Sequence, residues 1–306
     1  MSLDTGDTAF MLVATALDMI MTPGLAFFYG GLVSRKNVLT IMMQSYVSMG
    51  VTTILWVTVG YSLCFSGDTG GIIGNLDYAF LRGIEPTDLY GGADGTIPVL
   101  LFVVYQMMFA VITPALITGA FAGRITFKAY LIFLVAWQLF VYFPFVHMIW
   151  VGGLVVEWGV LDFAGGIVVH ALAGMAALAS VMYVGSRKNE DERVHNVPFV
   201  ALGAALLWFG WFGFNAGSAL DVGGIAVLAF INTQIAGSTS ASPSPTRPQA
   251  MSRRRRCGTS PPLTATGCCS TATGLAPPMR CRRWRASSTG SSLCGSTAPA
   301  TWPTSR

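Results

Sequence analysis

The chain has 306 residues, of which 53% are apolar and only 10% charged, with a mean hydropathy of +0.60. Soluble domains carry about 25% charged residues, so this composition excludes an ordinary soluble protein and points to a polytopic membrane protein. The net charge of +4 is an average over two compositions: all 14 acidic residues precede residue 240, whereas Arg247 to Arg306 supply ten of the 18 basic ones, so it is no sign of nucleic-acid binding.

A hydrocarbon core about 30 Å thick takes roughly 20 apolar residues of helix. Seven stretches are predicted as spans, at about 8–33, 38–65, 97–122, 129–150, 162–184, 198–218 and 223–240, the last being short. The N-terminus, MSLDTGDTAF, has no basic n-region and no small-residue cleavage site, so the first span is expected to remain. Basic residues alternate between loops. Arg35 and Lys36, then Arg124 and Lys128, then Arg187, Lys188 and Arg193 mark cytoplasmic loops, while the intervening loops carry Asp68, Asp77, Glu85, Asp88, Asp94, Glu157 and Asp221 with Arg82 as their sole cation. A multi-pass protein of the cell membrane with its N-terminus outside is expected.

Polar groups at membrane depth are costly and usually face a cavity or the bundle interior. Asp162 opens the fifth span, either as a helix cap or in a functional role, and the two can coexist. His170 follows eight residues later, about 12 Å along a helix, and is either satisfied by a neighbouring helix or a relay group. Trp150 closes the fourth span on the outside, Phe109 lies midway along the third, and Phe214 and Ser218 share a face of the sixth. Taken singly, the tryptophan reads as an interfacial anchor and the phenylalanines as packing. Together, aromatic faces and a hydroxyl above a histidine suit a small cation without a formal negative charge. Asp18 within the first span should face a partner or cavity rather than lipid. Pro114 should kink the third span, although a neighbouring helix can satisfy the freed carbonyl.

The strings PGLAFFYGGLVSRKNVL, YQMMFAVITPALITGAFAGR, FVHMIWVGG, LDFAGGIVVHALAGMAAL and LLWFGWFGFNAGSA, in that order, resemble the ammonium transporter family (Amt/Mep, related to the Rhesus proteins) over residues 8 to about 240. The resemblance implies an all-α Amt-like helical bundle, with about eleven spans as an inverted repeat in the family and about seven here. It implies that Phe109, Trp150 and Ser218 recruit ammonium or its analogue methylammonium, that Phe109 and Phe214 form the pore gate, that Asp162 orients and stabilises the site, and that His170 is the first of two pore histidines. Trp150 favours the Amt side over the Rhesus side. Bare ammonium crosses hydrocarbon at prohibitive cost while ammonia does not, so deprotonation near the gate, with histidine as relay, would pass ammonia and exclude potassium. The family works as a homotrimer without a cofactor, and a PII-type nitrogen regulatory protein on the cytoplasmic face of a full-length form is the further partner implied.

Departures from the pattern are Gly123, where the family often has glutamate, and the segment 241–306. That segment has no Lys, Asp, Glu, Asn, Ile, Val, Phe, Tyr or His, and holds five of the six cysteines without a CxxC spacing. It reads as a disordered tail translated in a shifted frame, with a basic lipid- or nucleic-acid-binding segment as the alternative. The second pore histidine is not reached, so the 306-residue product is expected to be inactive. An ammonium sensor is the other membrane reading, whereas HExxH, GxSxG and P-loop motifs of enzymes are absent from the sequence.

Overall fold

The computed structural model describes residues 3–186 and 194–241. The expected tail, apart from Ala241, and the loop cations Arg187, Lys188 and Arg193 lie outside the described residues. Six helices are long and apolar enough to cross a membrane: α1 (Thr5–Leu32), α2 (Arg35–Phe65), α3 (Val99–Phe121), α4 (Phe127–Trp150), α5 (Gly166–Val184) and α6 (Val197–Gly217). The stretch expected as a seventh span forms α7 (Gly224–Ala241), but Asn232, Thr233 and Gln234 interrupt its apolar run and it is not among the six. The chain is an all-α, multi-pass membrane protein.

Local sequence explains where the helices bend. α1 is two rods, Thr5–Met19 and Met21–Leu32, that meet at Ile20. Pro23 has no N–H to offer and its ring crowds the carbonyl four residues back, which is enough to break the run. Pro114, by contrast, leaves α3 continuous. The carbonyl it frees, that of Ala110, receives the Gln138 side-chain amide from α4 at 2.9 Å, and the same amide donates to Thr52 of α2 at 2.9 Å. As expected, a neighbouring helix supplies the donor that the freed carbonyl lacks, and the helix runs on through the proline. Wider π turns at Trp56–Gly60, Gln138–Tyr142 and Gly166–Ala171 interrupt α2 and α4 and open α5.

α3 is the centre of the bundle, packed on α1, α2 and α5, while α6 lies along both rods of α1. Helices in lipid gain no hydrophobic drive from one another, so close approach by small residues matters more. At Gly217 of α6 an added Cβ would sit 2.8 Å from the Tyr105 hydroxyl of α3. Gly123 ends α3 in the left-handed region (φ 68°), where glycine carries no Cβ penalty and glutamate would. Asp18 is 1% exposed and so faces the bundle interior, and neither of its carboxyl oxygens has a hydrogen-bond partner among the described residues.

Candidate functional site

The middle of α3 and the C-terminal ends of α4 and α6 bring the expected aromatic residues together. Phe109 is buried at 1% exposure. The Trp150 ring stands edge-on to it at a centroid distance of 5.5 Å, and the Phe214 ring lies over it at 4.2 Å and 30°. Such pairs are worth about 0.5–1.5 kcal/mol each beyond area burial. The Tyr105 hydroxyl donates to the Phe214 carbonyl at 2.8 Å and so fixes the end of α6 against α3. Ser218 Oγ also donates to that carbonyl, at 2.8 Å. With its proton committed, the Ser218 oxygen presents its lone pairs as an acceptor.

Above Phe109 is a cavity of about 140 Å³, lined by Phe109, Trp150 and Ser218 and also by Phe65, Tyr90, Phe102, Gln106, Phe163 and Leu220. Phe214 does not line it but forms the layer beneath, and His170 comes next, its ring 5.9 Å from that of Phe214. Cavity, two rings and imidazole therefore follow one another in order. None of the lining residues is formally charged, so the cavity offers aromatic faces and the neutral polar groups of Tyr90, Gln106 and Ser218.

Asp162 acts as the cap of α5. Its Oδ1 accepts the N–H groups of Gly165 and Gly166 at 2.7 and 2.9 Å, and its Oδ2 those of Ile167 and Val168, both at 2.8 Å. A bare helix N-terminus carries orphan N–H donors and about half a positive charge, which would repel a cation nearby. The carboxylate satisfies those donors and cancels that charge. Its backbone carbonyl takes the Trp150 indole N–H at 3.1 Å, which links cap and mouth. His170, within the π turn that Asp162 starts, is exposed, as is much of α5.

Reading the sequence left out six lining residues. Phe102, Gln106 and Phe109 recur at helical spacing along one face of α3, a signal that could have added the first two. Tyr90 stacks on Phe102 at 3.7 Å from a long loop, where no periodicity marks it. Leu220 reaches the cavity from a left-handed conformation (φ 63°), rare for a bulky residue and invisible in sequence.

Fold and site together define a multi-pass helical membrane protein with an aromatic-lined mouth above a histidine. The profile of the Ammonium Transporter Family matches residues 9–243, and the chain belongs to that family. It is 48% identical to the ammonium transporter of Aquifex aeolicus over 241 residues, covering 78% of this chain and 56% of that protein. Candida albicans Mep2 superposes with a TM-score of 0.70 at 33% identity, over 77% of this chain and 53% of Mep2. A sensor Amt protein does so with a TM-score of 0.68 at 29% identity, over 77% and 60%. The chain spans about half the length of the curated relatives it matches.

Proposed function

We propose that residues 1–240 carry the recruiting mouth and one wall of an ammonium pathway across the cell membrane, with the N-terminus outside. The observation that carries this reading is the sequence of layers: an uncharged cavity lined by Trp150, Phe109 and Ser218, the Phe109–Phe214 ring pair, then His170. Ammonium is attracted by the aromatic faces and donates to Ser218 Oγ. Asp162 keeps the nearby helix terminus from opposing it. The ion loses a proton at the gate, and ammonia moves along the apolar path beyond with His170 taking part in proton transfer. Homotrimeric assembly and a PII-type regulator belong to the same proposal, as does the segment 241–306 standing outside the transporter-like region.

One observation favours a second reading, recruitment or sensing without flux: the likeness to a sensor Amt protein. Uptake of labelled methylammonium into proteoliposomes separates the two, and His170→Ala is the paired variant. Transport predicts selective uptake that His170→Ala abolishes. Wild-type uptake rates in His170→Ala would remove the relay role, and binding without uptake in the wild type would favour the second reading.

A further inference from the structure

Beside the mouth lies a titratable pair, the buried His147 and the exposed Asp68, with no part in the pathway above. His147, one turn before Trp150 on α4, is 1% exposed. Its Nδ1 is 2.8 Å from the Cys64 carbonyl oxygen, which can only accept, so Nδ1 carries a proton. Its Nε2 is 3.2 Å from Asp68 Oδ1. A neutral ring protonated at Nδ1 would turn a lone pair on that carboxylate, so an attractive contact requires one further proton shared by the pair. The same Asp68 oxygen accepts the Gly71 N–H at 2.7 Å, and the Gly71 carbonyl accepts the Leu154 N–H at 2.8 Å. The segment after Trp150 is thus tied to the outer loop: His147 and Asp68 hold it on one side of the indole, and Gly71 with Leu154 on the other. The two stretches are in close contact, since a Cβ on Gly153 would collide with the Gly71 carbonyl oxygen.

We propose that His147 and Asp68 are a positioning pair that holds Trp150 edge-on over Phe109. Neither lines the cavity; they fix the backbone at the end of α4, while the indole N–H is fixed separately by Asp162. The effect on cation affinity rests on the recruitment reading, but the positioning itself does not, and the two are read separately. The experiment uses the full chain, labelled with 15N-tryptophan in lipid nanodiscs, with the Trp150 indole signal assigned from Trp150→Phe. Asp68→Ala and His147→Gln are expected to shift that signal and speed its solvent exchange. Asp68→Asn can keep an amide oxygen at the position of Oδ1, where it still accepts from Gly71 and from a His147 protonated at Nε2, and is expected to restore the signal in part. The half-saturating methylammonium concentration should rise roughly threefold in Asp68→Ala, the scale of an exposed ion pair, with the maximal response unchanged. An unchanged Trp150 signal and exchange rate in both Asp68→Ala and His147→Gln would overturn the proposal. If the signal moves in the variants but the wild type does not respond to methylammonium, the recruitment reading fails and the positioning pair stands.

Discussion

Trp150 and His170 belong to adjoining parts of the site and are held in opposite ways. Trp150 is partly buried, edge-on to Phe109, and bound through its indole to the Asp162 carbonyl. His170 is exposed on α5, a helix whose apolar stretch is 17% buried, against 78% for α3, and its ring contact is with Phe214. The geometry at the mouth is therefore set by packing within this chain, whereas the outer face of the histidine is left to whatever lies against α5. The proposed recruitment and relay steps can then be perturbed separately, except at Asp162, which would serve both.

The most disruptive change is Asp162→Asn, because it erases the contrast. Its amide would turn two N–H groups toward backbone N–H groups that now meet carboxylate oxygens, costing about 2 kcal/mol of stability as a lost cap. A similar loss in cation binding is roughly 30-fold. Thermal unfolding in detergent and a methylammonium titration check both, and an unchanged melting temperature would refute the cap's role. Trp150→Leu sharpens the contrast instead: affinity should fall by about 1 kcal/mol, or roughly fivefold, while the 15N signal of His170 stays in place. An unchanged concentration dependence would count against recruitment by the indole. The smallest effect is acid sensitivity. The hydrogen bond from His147, and then that from Gly71, hold the Asp68 carboxyl below its ordinary value. A depressed carboxylate contributes fully above that ordinary value, near pH 4, and its contribution is lost as pH falls through the lower folded value. On acidification, exchange of the Trp150 indole proton should accordingly accelerate as the pH falls below about 4, and acceleration on acidification already at pH 6 would contradict the assignment.

Much of this was legible in the sequence because a bilayer imposes one length and one polarity on each span, and the six spanning helices fall where the apolar runs do. The six site residues also fall together, since Phe109, Phe214 and His170 stack in order and Trp150, Asp162 and Ser218 adjoin them. What apolar runs cannot carry is direction and distant pairing. The break at Ile20 depends on Pro23, a single residue inside an unbroken apolar run. Gln138 reads as a polar interruption of the fourth span, and only three-dimensional placement shows it answering Pro114. His147 and Asp68 are 79 residues apart, with no local pattern joining them.

Gln138 also limits how the ring pair can open. One side-chain amide joins α4 to α2 through Thr52 and to α3 through the Ala110 carbonyl, immediately after Phe109 in the chain. Turning α3 about its own axis would break the bond to Ala110 and expose its carbonyl in hydrocarbon, at several kcal/mol. An opening of the ring pair would therefore have the Phe109 side chain swing on a fixed backbone, a motion far faster than the tilting of whole helices. If the Phe109–Phe214 pair is the proposed gate, it would work as a swing door in a rigid frame, opened by ring rotation and not by the microsecond-to-millisecond rocking of whole helices.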